Sequence, residues 1–280
     1  MGIKIMKRAL KSVKIGVVVV AVLIAGGVVF GGVPLNNLQG VGGVAFNPVA
    51  YPAGQNKADG TVGPLSRPQF GAWYTHLGQA DVDWTAIGAA ETLFDRVEVS
   101  YGYELIAPKG ENINKSNVGG KVLLVPENAG GKNFIPAISV GTIWKTASNV
   151  AEGSDDSGVD IYGVVAKLIT QLPFPVLLSG GVLSTKEQVT GVFGFNDDRD
   201  VTGFGNIDLI PLSSVAIGVE YKQGAEFDSF KNASYWDAHL AYFANKNLTL
   251  VGAYVNAGDQ DSTDKVGLGD GIVLSAQYAF

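Results

Sequence analysis

The chain has 280 residues, 38 of them glycine, no cysteine, 16% charged side chains and a formal net charge of −6. Glycine is about twice its usual share, and charge is well below the usual quarter or so. Together these exclude a disulfide scaffold, a thiolate metal site and a basic nucleic-acid surface, and the length suits one large all-β domain or two ordinary ones.

Lys4, Lys7, Arg8, Lys11 and Lys14 precede an uncharged run from Ile15 to Phe30. A basic start followed by a short apolar run reads as a secretory signal peptide over residues 1–32. The run is shorter than the roughly 20 residues of a spanning helix. No clean Ala-x-Ala is present; Ala25-Gly26-Gly27 or residues 29–32 are the candidate cleavage sites. The alternative is an uncleaved N-terminal anchor.

Residues 33–67 form a Gly/Pro-rich segment. Within it, residues 34–53 carry no charge and hold Gly40, Gly42, Gly43 and three prolines. Their apolar residues keep neither a period of two nor one of 3.6. Two readings stay open: a plug inside a barrel or across its periplasmic mouth, or a flexible lead-in to the first strand. Residues 54–67 read as a polar loop.

From residue 68 to 280 strand-like runs alternate with turns, and no helical stripe is visible. The runs are 69–77, 82–90, 97–105, 118–125, 133–145, 159–171, 175–184, 201–210, 213–222, 235–245, 248–256 and 271–280. Residues 186–195 are ambiguous between strand and turn. In the third run Val97, Val99, Tyr101, Tyr103 and Leu105 share one face, opposite Arg96, Glu98, Ser100, Gly102 and Glu104. In the ninth, Val215, Ile217, Val219 and Tyr221 oppose Ser214, Ala216, Gly218, Glu220 and Lys222. The last run shows Ile272, Leu274, Ala276, Tyr278 and Phe280 on one face.

Several runs reach the length of about nine to eleven residues that a tilted strand needs to cross hydrocarbon. The links alternate in length, with 107–116, 146–157, 223–233 and 257–269 long and polar, as in barrels with short periplasmic turns and longer outer loops. Asp155, Asp156, Asp259, Asp261 and Asp264 then share one rim. The expected fold is a transmembrane antiparallel up-and-down β-barrel of about 12 strands, 10 to 14 at the limits. Val97, Val99, Tyr101, Tyr103, Val215, Ile217, Val219, Leu274, Tyr278 and Phe280 would face lipid. Arg96, Glu98, Glu104, Glu220, Lys222 and His239 would line the lumen, open or plugged.

The words LNNLQGVGGVAFNPVAYP and LFDRVEVSYGYEL resemble a family of outer-membrane barrel proteins with no established activity. The resemblance covers the chain from about Pro34 to Phe280. The terminal Tyr-Ala-Phe resembles the C-terminal signature of Gram-negative outer-membrane barrels, which implies that the barrel-assembly machinery reads Phe280.

Catalytic chemistry is sparse. The two histidines are His76 and His239. His239 lies two residues from Asp237, so both share a strand face, with Ser229 and Ser234 nearby in sequence. A hydrolase would need nucleophile, base and orienter to converge. Asp259 to Asp264 (DQDSTD) has alternating oxygen ligands but lacks the sixth-position Gly and closing Glu of a calcium loop. Gly203-Phe204-Gly205 lacks the helix of a dinucleotide site. No cofactor and no metal is expected. The function expected is an exported Gram-negative outer-membrane barrel, porin-like, passing or binding a small polar or amphipathic solute, or structural. The alternatives are a lipid-modifying enzyme with His239 as base, and a secreted soluble ligand-binding barrel.

Overall fold

The computed structural model describes residues 35–54, 64–108, 112–259 and 264–280. The signal-peptide reading of residues 1–32, the loop reading over residues 55–63 and the rim position of Asp261 lie outside the described residues. Twelve strands run in chain order: β1 Gln69–Leu77, β2 Val82–Leu93, β3 Val97–Pro108, β4 Ile113–Val125, β5 Ala137–Ala147, β6 Ser157–Ile169, β7 Val176–Glu187, β8 Phe195–Leu212, β9 Val215–Lys222, β10 Tyr235–Phe243, β11 Leu248–Asn256 and β12 Asp270–Ala279. Each pairs antiparallel with its sequence neighbours, and β1 pairs with β12, so the sheet closes on itself. Closure leaves no strand edge unpaired.

Side chains alternate in and out along every strand. The outer face carries large exposed apolar residues, among them Ile87, Trp144, Ile161, Val182, Ile207 and Leu240. A closed sheet presenting such a belt places its apolar face against hydrocarbon rather than water. The expected lipid-facing set lies on this outer face: Val99, Tyr101, Ile217, Val219, Leu274, Tyr278 and Phe280 are exposed, and Val97, Tyr103 and Val215 are half-buried. Among the described residues, no apolar stripe is sandwiched between two sheets, the arrangement a soluble sandwich would require.

The lower rim holds Phe280, whose N–H bonds to the Pro68 carbonyl, and the links 94–96, 126–136, 170–175, 213–214 and 244–247. The upper rim holds the longer links 148–156, 223–234 and 257–269, with Asp155, Asp156, Asp259 and Asp264. The length asymmetry has exceptions on both rims. The link 126–136 is long yet belongs to the lower rim. The upper links after β1 and β3 are short: β3 runs to Pro108 and β4 starts at Ile113, so most of the expected long link 107–116 belongs to strands or a short turn. The fifth strand starts at Ala137, not residue 133, because Pro136 offers no N–H to the ladder. The fourth starts five residues earlier than its pattern suggested, at Ile113. Its first turns are polar on both faces, so period-two alternation is invisible there. β8 likewise continues above the belt through Asp197, Asp198, Arg199 and Asp200, where charge reads as loop.

Candidate functional site: a filled lumen

Residues 35–54 lie inside the barrel, entering and leaving at the lower rim. Asn36, Asn37, Leu38, Val41, Asn47 and Ala50 are all buried. Three lumen-facing glycines in register on neighbouring strands, Gly71, Gly88 and Gly102, make a trough for this plug. A Cβ on Gly88 would sit 2.7 Å from the Gly40 Cα, and one on Gly102 would overlap the Gln39 carbonyl. The plug backbone therefore packs directly on the wall backbone, which only glycine permits.

Charged side chains of the wall then grip the plug by its main chain. Glu98 accepts from Gly42 N (2.9 Å) and Ala53 N (2.7 Å). Glu220 accepts from Phe46 N (2.7 Å) and Asn47 N (2.9 Å). Lys121 sits 2.8 Å from Glu98 and donates to the carbonyls of Gly42, Val49 and Tyr51 at 2.9, 3.1 and 2.9 Å. Trp73 Nε1 donates to Asn36 O, and Ser139 Oγ to Ala50 O. A segment without strand or helix thus satisfies its backbone against wall side chains, as buried polar groups must. Hydrogen bonds to an ionised partner are about twice as strong as neutral ones.

Higher in the lumen the wall charges bind one another. Lys145 lies 2.6 Å from Asp160 and 2.7 Å from Glu187; Lys115 is 3.2 Å from Glu104; Lys222 is 3.4 Å from Glu187. Above this ionic layer the link 188–194 folds inward as a cap. Val189 and Val192 are buried, Lys115 Nζ donates to Thr190 O at 2.5 Å, and Asn232 bonds both Val189 N and Glu187 O. Val189 and Thr190 hold positive φ angles of 50° and 53°, a conformation that β-branched residues adopt only when surroundings impose it. Plug and cap leave two small enclosed voids, of about 30 and 50 Å³.

Of the expected lumen residues, Glu98, Glu104, Glu220, Lys222 and His239 are buried inside the barrel. Arg96 is a correction: it is exposed in the lower-rim turn before β3, and its guanidinium donates to the Leu123 carbonyl. One residue outside the paired strand, the alternation no longer decides which way a side chain points. Lys115, Lys121, Lys145, Asp160 and Glu187, the partners of these charges, escaped the sequence reading.

His239 has both ring nitrogens engaged, Nδ1 with Asp237 (2.6 Å) and Nε2 with Asp208 (2.7 Å). Neither is free to take a proton from a nucleophile. Ser234 bonds Tyr221 and Gly224, and Ser229 bonds Asn196, both away from the histidine. His76 is half-buried on the outer face and bonds Asp83 at 2.9 Å. Among the described residues, no group of three or more His, Asp or Glu side chains is placed to hold a metal ion.

Comparison with known proteins agrees with this architecture. No curated protein matches the chain. Among solved structures, the KdgM porin superposes with a TM-score of 0.52 at 14% identity, over 76% of this chain and 99% of that one. A structure of the KdgM porin in complex with disordered oligogalacturonate gives 0.51 at 14%, with the same coverage. The NanC porin gives 0.50 at 10%, over 75% of this chain and 99% of that one. At such identities the likeness concerns the fold, which is the closed barrel of porins. A family model described as "Protein of unknown function (DUF3034)" matches residues 31–277, so the chain belongs to the DUF3034 family.

Proposed function

We propose that the protein is a Gram-negative outer-membrane barrel of porin type, shut at rest, that admits or binds a small polar or amphipathic solute when residues 35–54 yield. The observation that carries this reading is the plug itself, held by Glu98, Glu220 and Lys121 through its backbone. The outward apolar belt supports lipid as its surroundings. Phe280, exposed at the lower rim against Phe70 and Tyr278, is the element the assembly machinery would read. The engaged nitrogens of His239 favour a non-catalytic barrel.

Planar-bilayer recording tests the reading. Wild-type protein is expected to give no stepwise conductance, and variants that loosen the plug are expected to give steps. Steps from the wild type would overturn the shut resting state, and silence from every loosened variant that folds would overturn passage. Partition of the mature chain into aqueous buffer without detergent would remove the membrane assignment itself.

A further inference from the structure

The two enclosed voids differ in chemistry. The lower one, about 50 Å³, is lined by Leu35, Trp73, Phe243 and the bonded pair Asp208–His239. None of its lining side chains carries an orphaned polar atom. The upper one, about 30 Å³, lies where plug tip, cap and wall meet. Five of its lining residues carry a buried polar atom with no hydrogen-bond partner: the hydroxyls of Thr75, Thr190 and Tyr235, the indole N–H of Trp84, and Oε2 of Glu104.

Native proteins pair nearly all their buried polar groups. Five of the twenty such atoms among the described residues gather around this one space, which marks it as a place for a matching partner. Lys222 and Gln39 also line the space, both engaged with Glu187 at 3.4 Å. The rest of the lining is apolar, with Leu38 and Phe46 of the plug, Leu77 of β1 and Leu268 of the link that follows β11. Mostly apolar walls with a few convergent polar groups are the signature of small-molecule sites. The polar groups are mainly donors, with one carboxylate oxygen as acceptor. A hydroxyl group fits this set: it accepts from Trp84 or Tyr235 and donates to Glu104. A carboxylate fits less well, since it cannot donate to Glu104 and the lining cation, Lys222, is already paired with Glu187.

We propose that this chamber is a binding site for a small apolar molecule bearing a hydroxyl group, such as an alcohol or phenol. The inference rests on the solute reading above and names the solute's class. In the resting state about 30 Å³ holds only a water or two. Leu38 of the plug tip lines the chamber, and a molecule larger than a water enters only when the plug tip withdraws. Binding and plug release are then coupled, because the ligand favours the withdrawn state.

The test is calorimetric titration of benzyl alcohol into detergent-solubilised Leu38→Ala, with heat-modifiable gel mobility as the check on folding. Phe46→Ala, which opens the same chamber from a second side, stands in if Leu38→Ala fails to fold. One saturable site is expected, weakened at least tenfold by adding Trp84→Phe or Tyr235→Phe, and at least tenfold weaker for benzoate. No saturable binding by either opened variant overturns the proposal. So does binding that ignores both Trp84→Phe and Tyr235→Phe, the pattern of partition into detergent. Bilayer recording on the same samples separates the two claims: steps without binding sink the site alone, and binding with silent bilayers sinks passage alone.

Discussion

The lower and upper halves of the lumen are filled by opposite strategies. Below, wall side chains hold the main chain of residues 35–54, and the plug contributes no side-chain charge of its own. Above, wall side chains hold each other through Lys145, Asp160, Glu187, Lys115 and Glu104. A carboxylate that grips peptide N–H groups accepts any sequence compact enough to reach it. The lower half therefore asks the plug for glycine and lack of charge, and asks the wall for a glycine trough. The upper half asks for matched charges at fixed places. Neither arrangement is cheap, since a buried ion pair recovers its desolvation only with good geometry. The lower set holds the plug in place, and the upper set braces the barrel beneath the cap.

The largest break in this contrast is expected from Gly88→Leu or Gly102→Leu. Each places a side chain where the Gly40 or Gln39 backbone lies, in a strand that tolerates leucine. The plug should leave and stepwise conductance should appear in bilayers where the wild type is silent. Next comes Lys121→Met, which strips three plug carbonyls of their donor and leaves Glu98 without its cation. A loss of about 3–5 kcal/mol is expected, as for breaking a buried pair, together with conductance. Lys145→Met sharpens the comparison. It leaves Asp160 and Glu187 without Lys145 and should cost a similar amount in denaturant unfolding, yet the bilayer should stay silent because the plug keeps its own contacts. Trp73→Phe removes one hydrogen bond to the Asn36 carbonyl and should cost about 1 kcal/mol, read as a small shift in heat-modifiability.

The smallest effect lies outside the barrel. Lys265 pairs with Glu226 at 2.7 Å, joining the links 257–269 and 223–234 on the upper rim. The lysine holds the Glu226 carboxyl below its ordinary value. A depressed carboxylate contributes its stabilisation above the ordinary carboxylate range and loses it as pH falls through the lowered value. Amide exchange in the link 223–234 should rise on acidification, and in Glu226→Gln that rise should be absent.

The barrel was legible because its outer face speaks in period two. Val97 to Leu105, Val215 to Tyr221 and Ile272 to Phe280 alternate cleanly, and β1 and β11 match the expected bounds. The expected strand number of about 12 agrees with the closed sheet. The lumen was half legible. Glu98, Glu104 and Glu220 stand out as charges opposite apolar stripes, while Lys115 sits where β4 is polar on both faces and Glu187 sits where a strand gives way to the cap. Residues 34–53 left plug and lead-in equally open, because a segment held by other residues' side chains shows no periodicity of its own. The row Gly71, Gly88, Gly102 is scattered in sequence and becomes a row only through strand register.

The most direct test of the account uses the absence of native cysteine. Ala50 of the plug is fully buried, its carbonyl accepting from Ser139 of the wall, so an Ala50→Cys protein should resist a membrane-impermeant maleimide in isolated outer membranes and react fully once the barrel is unfolded. Free reaction of the cysteine at position 50 in the folded barrel would place residues 35–54 outside the lumen and contradict the account.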